Sequence, residues 1–554
     1  AQDCATRPPT SPMPRISPDE LVKAATDNQV WRSMFRNWPW QDSARHRARH
    51  IVDNVWLHLH PAKLRPRALH WTFTWGLGGI SFLLFLILTL TGVLLMFYYR
   101  PTISLAYRDM KDLEFAITLG MFLRNAHRWS AHAMVMAVIL HMIRVFLTGS
   151  YKKPREFNWG IGVQLLTLTL FLSFTGYLLP WDQLAIWAVT VGTNMAGATP
   201  LVGNEGPFAG LLGMRVNNDV RFALLGGTSV GENTLIRFYV LHCVVVPLIA
   251  GALMIVHFWR VRKDTFSAAP ITPDEEKLDV WPHLVVREYL AAAAVTAFIL
   301  LWSVLQNAPL EELANPTVTP NPSKAPWYFV GLQELLVYFD PWIAGVLLPG
   351  VIIAGLMAIP YLDTNPKGVG YYSIRERSFA NTMFLLGNFL WFILIAIGQW
   401  CRGPSWSWYW PWESWLHHKP LPSATWSFPV WAGLLSLAAY FGAGTALPRL
   451  IKADLPWGKS ILGFTAVYAA MALGLAFVFG LGLGKLAMMG VFLLSYWVFG
   501  FLMPQKHLRE LDLTRYLITM SLVLMMMGVL IKIGLRLGFD VKYILALPQF
   551  NLNI

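Results

Sequence analysis

Apolar runs of about 20 residues recur along the chain, separated by loops rich in basic residues, proline and tryptophan. A helix of that length is what the hydrocarbon core of a bilayer, about 30 Å thick, requires. Eleven such spans are predicted, near residues 72–98, 130–148, 160–180, 238–259, 288–306, 343–361, 380–400, 427–447, 460–481, 485–503 and 514–536. Only a glycine-rich turn separates the ninth from the tenth. The expected fold class is an all-α membrane protein, a four-helix bundle with additional transmembrane helices.

Two spans carry residues that lipid tolerates poorly. The stretch from Asn125 to Val145, NAHRWSAHAMVMAVILHMIRV, places His127 and His141 14 residues apart. At about 1.5 Å and 100° per residue, the imidazoles share one helix face roughly 21 Å apart, one near each membrane surface. A second stretch, Ile236 to Trp259, repeats the arrangement with His242 and His257, 15 apart. Two antiparallel helices of this kind can set His127 against His242 and His141 against His257. A lone intramembrane histidine is most often packed or hydrogen-bonded, but the matched double pair changes the balance, because ionisable residues in spans are costly and imidazole is an axial ligand of haem iron. Each histidine pair can then hold one metal centre, with haem iron the candidate.

Glycines repeat the spacing. Gly78 and Gly92 in the first span, and Gly162 and Gly176 in the third, are each 14 apart. Missing side chains at these two levels would let a flat porphyrin lie against the backbone. Arg124, Arg128, Arg144 and Arg237 lie near the histidines, and a guanidinium matches a haem propionate with a charge-assisted bidentate contact. For Arg144, a residue reaching to the interface is the plainer alternative.

Composition narrows the class further. With 554 residues, 55% hydrophobic and 14% charged, this is not an ordinary soluble protein. The formal charge of +13 follows the loops and carries no nucleic-acid signature. Basic clusters precede span 1 (Arg45 to Arg67) and follow spans 2, 4, 6, 8 and 10, all on one side. The positive-inside rule therefore predicts a cytoplasmic N-terminus and an external C-terminus. The three cysteines, Cys4, Cys243 and Cys401, form no CxxC, so no disulfide framework, cysteine-ligated cluster or standard covalent haem attachment is expected. No apolar signal region is visible near Ala1, although processing or truncation stays open.

Residues 1–16 are expected to be poorly ordered. Ser17-Pro18-Asp19-Glu20 carries the signals of a helix start with a capping box. From Ser43 to His60, Ile51, Val55 and Leu59 recur every fourth residue among basic ones, which predicts a helix lying on the cytoplasmic membrane surface or packing on a partner.

The segments FYYRPT (97–102), HRWSA (127–131), FLTGSYKKPRE (146–156), GYLLPWDQ (176–183) and SVGENTLIRFYVLH (229–242) resemble cytochrome b of the quinol-oxidising cytochrome bc complexes. The histidine spacing of 14 then 15 is closer to the photosynthetic cytochrome bf form. The resemblance covers about residues 65–400. It divides the chain into a cytoplasmic N-terminal extension (1–71), a dihaem four-helix core (72–280), a three-helix quinol-site part (281–400) and a Trp-rich loop with four more helices (401–554). It implies two non-covalent b-type haems, a low-potential one held by His127 and His242 near the outer surface and a high-potential one held by His141 and His257 near the cytoplasmic surface. It also implies a bacterial-type cytoplasmic membrane, a Rieske-type iron–sulfur protein, a cytochrome c-type acceptor, possible further membrane subunits and a homodimer. Quinol would be oxidised near the outer face and quinone reduced near the cytoplasmic face, with protons moved across.

Two departures from the family pattern stand out. In NPTVTPNPSKAPWYFVGLQELL (315–336), Trp327 and Tyr328 match the Pro-Glu-Trp-Tyr motif, but Ala325 and Pro326 replace its Pro and Glu. Glu334, eight residues on, is the candidate substitute proton acceptor, against a plain helix-terminal polar residue or a contact to a neighbouring subunit; Trp327, Tyr328 and Tyr177 are the other residues expected at the quinol site. Gly76 stands where the photosynthetic form anchors an extra haem through Cys, so no covalent haem is expected there. Two rival functions fit the span count: a dihaem anchor for another oxidoreductase, and a haem-free transporter or scaffold. His417 and His418, adjacent in the Trp-rich loop, read as solvated residues.

Overall fold

The computed structural model describes residues 17–27, 31, 42–54, 57–269, 275–416, 419, 424–450, 508 and 510–554. The predicted spans at 460–481 and 485–503, residues 1–16 and the His417-His418 pair lie outside them.

Helix α1 (Pro18–Thr26) starts as its sequence dictates, with the Ser17 hydroxyl accepting from the Glu20 amide and the Glu20 carboxylate accepting from the Ser17 amide. Helix α2 (Ala44–Asp53) follows. Ile51 is buried in a cluster with Leu64, Leu69 and Val280 of this same chain. At this position, therefore, the apolar stripe expected on a membrane surface faces the protein's own core.

The spans come next. Helix α3 (Leu77–Met96) leads through α4 (Ala106–Phe115) to α5 (Gly120–Leu147), α6 (Glu156–Tyr177), α7 (Gln183–Gly197) and α8 (Val220–Leu225). The fourth span, α9 (Glu232–Asp264), contains a π-helical turn at Leu241–Val245 that includes His242. Then come α10 (Val280–Leu305), α11 (Trp327–Leu335), α12 (Trp342–Leu362), α13 (Ser378–Trp400), α14 (Val430–Leu450) and α15 (Leu513–Phe539). Among the described residues, eight helices are long and apolar enough to cross a membrane, and α14 contains a shorter apolar stretch, Val430–Ala446. The all-α class holds; the few strands are two or three residues long.

The packing of the first four spans positions the site. Helix α5 packs on α3 and α6, and α6 packs on α9, but the two histidine-bearing helices α5 and α9 stand apart. Polar side chains that need partners lie along this gap, and the outward faces of the same helices are apolar: Leu90 on α3 and Ile255 on α9 are more than 60% exposed. Such a surface suits lipid. The gap is a single long cavity of about 960 Å³, running from Tyr177, Asp182 and Tyr328 at one end to Arg144, His60 and Glu288 at the other. That is near the top of the roughly 300–1,000 Å³ range of ligand pockets.

The later part of the chain closes one end. The Gln183 amide donates to the Glu312 carbonyl at 2.8 Å, and the Asn315 amide donates to the Gln183 side chain at 2.6 Å. Arg124 donates to the carbonyls of Ala308 and Pro309 at 2.8 and 2.7 Å. The Gln183 bonds fasten the loop after α10 to the GYLLPWDQ segment, and the Arg124 bonds fasten it to α5.

Candidate metal centres

The His127 and His242 rings face each other across the gap with centroids 6.2 Å apart and planes 80° apart. Two metal–imidazole bonds of about 2 Å each, with a ring half-width of about 1 Å at either side, span about 6 Å, so one metal ion fits between these rings. Protonation follows from the neighbours. The Thr91 hydroxyl donates to the Ile87 carbonyl at 2.7 Å, so it can only accept from His127 Nδ1 at 2.9 Å. The Thr175 hydroxyl donates back along α6 in the same way, and His242 Nδ1 lies 3.2 Å from it and 3.1 Å from the Leu172 carbonyl. Each Nδ1 therefore carries the proton, which leaves Nε2 with the lone pair a metal needs.

His141 and His257 form the second level; His257 lies against the Asn158 backbone, and the buried His141 Nδ1 has no hydrogen-bond partner among the described residues. Among the described residues no group of three or more His, Cys, Asp or Glu could ligate a metal. Paired imidazoles alone fit an ion whose other positions are filled by a macrocycle, as in haem.

The four glycines stand opposite the four rings. A Cβ on Gly92 would lie 3.2 Å from His127 Cε1, on Gly78 3.3 Å from His141, on Gly162 3.5 Å from His257, and on Gly176 only 2.4 Å from His242. The missing side chains thus admit the imidazoles themselves, a more direct reason for glycine than the room for a porphyrin inferred from spacing. Gly76, which faces no histidine, takes a left-handed φ of 62° at the start of α3, a conformation that favours glycine.

The arginines divide. Arg128 lies 4.9 Å over the Tyr177 ring and Arg144 5.6 Å over the Phe73 ring; both line the cavity with Nε lacking a partner. Arg124 also lines it, but its guanidinium donates to the two loop carbonyls. Arg237 is a correction: it donates to the Ala223 carbonyl, packs against Gly226, and is not part of the cavity wall. Five residues before His242, it points roughly 140° away round the helix.

At the Tyr177 end, Tyr328 is buried and lines the cavity. Trp327 does not line it; its Nε1 donates to His132 Nδ1 at 3.0 Å. Glu334 is the second correction. Its carboxylate, fully buried, accepts from Arg402 Nη2 at 2.6 Å, Arg402 Nε at 3.0 Å, the Tyr338 hydroxyl at 2.6 Å and Trp406 Nε1 at 2.9 Å. It is away from the cavity wall, and its acceptor sites are taken. The carboxylates that do line this end are Asp182 and Glu311. Burial raises the Asp182 carboxyl above its ordinary value, although the Ala185 and Glu311 amides oppose the shift.

At the other end, His60 bonds the Glu288 carboxylate at 2.9 Å, and both residues line the cavity. Burial works against the His60 charge, but the Glu288 contact leaves its pKa raised overall.

Sequence reasoning passed over His132, Asp182, Glu311, Thr91 and Thr175. The threonines had a signal, since each directly precedes a histidine-facing glycine, as Thr91-Gly92 and Thr175-Gly176.

These features define an integral multi-pass membrane protein whose helices enclose paired imidazoles. Comparison with known proteins agrees. The family model described as Cytochrome b/b6/petB matches residues 63–265, and that described as Cytochrome b(C-terminal)/b6/petD matches residues 313–413. Cytochrome b6 of Porphyra purpurea is 42% identical over 198 residues, which are 36% of this chain and 86% of the relative; that of Gracilaria tenuistipitata var. liui is 43% identical over the same shares. A solved chain described as "Hyperthermophilic respiratory Complex III" shares the fold, with a TM-score of 0.53 at 23% identity over 68% of this chain and 91% of that one. The chain belongs to the cytochrome b family. The resemblance read from its sequence motifs is thereby confirmed.

Proposed function

We propose that the chain is the cytochrome b subunit of a quinol-oxidising bc-type complex and holds two b-type haems, one between His127 and His242 and one between His141 and His257. The observation that carries this reading is the ring pair 6.2 Å apart, with Nδ1 of each histidine bonded so that Nε2 is free. Bound there, the haems would supply one-electron redox chemistry across the membrane.

The chain's own residues bind, orient and move protons. Arg128 and Arg144, each with an unpartnered Nε beside one level, are suited to haem carboxylates. Quinol binds at the Tyr177 end, against Tyr177 and Tyr328, with Trp327 bracing the latter through its bond to His132. Oxidation removes two electrons and two protons, and Asp182 and Glu311 are the carboxylates placed to accept protons there. The Tyr177 end faces outward, where a Rieske-type iron–sulfur protein and a cytochrome c-type acceptor dock. The Arg144 end, where quinone is reduced, faces the cytoplasm of a bacterial-type membrane. The basic loops support this orientation, and a homodimer follows the family.

A reduced-minus-oxidised spectrum of the purified chain with its haem to protein ratio tests the reading. Two haems are expected, with His127→Ala and His141→Ala each losing a different one. Absence of visible absorbance would leave a transporter or scaffold. Intact haems without quinol oxidation in the assembled complex would favour the anchor of another oxidoreductase.

A further inference from the structure

The N-terminal segment before the first span contributes a histidine to the cavity. Helix α2 packs on α10, Arg47 bonds Asp279 at 2.7 Å, and Lys63–Leu64 pairs antiparallel with Leu278–Asp279. Leu57 packs beside the Ile51 cluster, and its amide donates to the Asn54 side chain at 3.0 Å. This stapling brings His60 within 2.9 Å of Glu288, 228 residues on, where both line the Arg144 end. Their side chains are 21% and 36% exposed, so the pair meets cavity and solvent alike. His60 precedes the first stretch matched by the family models, 63–265, and Glu288 falls between it and the second, 313–413. The pair therefore comes from parts of the chain that those models do not match.

The contact requires a proton. His60 Nδ1 lies 3.1 Å from the Leu57 carbonyl, which can only accept, so Nδ1 carries a hydrogen. In a neutral ring Nε2 then offers only a lone pair, and an ionised Glu288 offers only lone pairs. At 2.9 Å these would repel, so one further proton sits between them, on the ring or on the carboxyl. The other charged groups lining this end are Arg144 of α5, Arg155 before α6, Arg260 and Asp264 of α9, paired at 2.9 Å, and Arg287 of α10. On α2, Arg49 and Asp53 pair at 2.9 Å and His50 packs on Trp281. The excess of positive charge opposes a second proton, so the pair holds one.

We propose that His60 and Glu288 load protons into the Arg144 end of the cavity, passing their shared proton to a quinone oxygen and regaining one from water on the exposed side. This rests on the reading above that quinone is reduced there. The two electrons each quinone takes arrive as that reading describes; the two protons come from the pair in two turns. Each transfer parts the proton from the pair and forms an O–H bond on the quinone. The lone pairs then left facing each other draw the next proton from water.

The test follows re-oxidation of the dithionite-reduced haems of the assembled complex by a short-chain naphthoquinone across a range of pH. Burial opposes the His60 charge, but the Glu288 contact leaves its pKa raised. The wild-type rate should therefore hold at low pH and fall as pH rises through a value above the ordinary histidine range, where the pair unloads. Glu288→Gln, which keeps the shape and not the proton, should slow the reaction about tenfold, less than the usual hundredfold or more because water still reaches the site. Its falling limb should move to lower pH, since burial then prevails. His60→Ala should slow likewise and recover when imidazole is added, which a merely structural role does not produce. His58→Ala, two residues away and bonded to the Val52 carbonyl, should change nothing. An NMR titration of isotope-labelled histidine, which needs no quinone, should show a ring above the ordinary range that is missing in His60→Gln, and it carries the test if a variant loses its haems. Unchanged rates and limbs in Glu288→Gln and His60→Ala, or no such raised ring, would overturn the proposal. A wild-type complex whose haems no quinone re-oxidises would instead sink the reading that quinone is reduced at this end.

Discussion

The histidines of the four-helix core, half-buried along the cavity, and Glu334 of α11, fully buried, are polar residues that the fold treats in opposite ways. At the His127/His242 level the Nδ1 side is bonded and the Nε2 side is left over, facing its counterpart across a cavity. In the second part of the chain, Glu334 spends its acceptor sites on Arg402, Tyr338 and Trp406. The difference in burial follows from what each side chain has bonded. Unspent bonding capacity separates the two cases, since a group with nothing left to offer is a fastening and a group with a free lone pair awaits a ligand.

The largest expected effect breaks the fastening. Glu334→Gln leaves Arg402 charged and unpaired in the interior, which should cost about 3–5 kcal/mol of stability. Denaturant or thermal unfolding of the purified protein reads this, and adding Arg402→Met should return part of the loss. A stable Glu334→Gln variant that had lost quinol oxidation would restore Glu334 as proton acceptor and erase the contrast.

Within the core, the glycines rank themselves. Gly176→Ala puts a methyl 2.4 Å from the His242 ring, whereas Gly162→Ala puts one 3.5 Å from His257, an ordinary contact. Gly176→Ala should lose most of the haem at its level, and Gly162→Ala should retain both, as measured by haem to protein ratio. Equal losses would mean that the glycines serve the porphyrin and not the imidazoles.

Asp182 sharpens the comparison at the cavity's end. Asp182→Asn should slow quinol oxidation about tenfold, less than the roughly hundredfold or more of a sole base, because Glu311 remains. Burial raises the Asp182 pKa, and the base is the deprotonated form. The wild-type rate should therefore climb as pH rises through a value above the usual carboxylate range, and the variant should lose that limb. The smallest effect belongs to Arg237→Gln, on an exposed side chain away from the cavity. It should leave the haem spectrum unchanged and stability within about 0.5 kcal/mol.

The chain's periodicities predicted the spans seen among the described residues and pointed to two histidine levels with matching glycines, because a helix converts a spacing of 14 into one face and lipid makes each polar residue conspicuous. The family was legible from short motifs for the same reason, since each is packed at the cavity or its rim. What the sequence could not decide was direction and partnership. Whether Arg237 or Arg128 turned toward the cavity depended on the angular position of each relative to its histidine and on the helices packed beside it. Whether Glu334 was a free base depended on Arg402, 68 residues away in sequence. Such pairings are made across the fold, between residues whose separation along the chain carries no periodic trace, and only the tertiary structure brings them together.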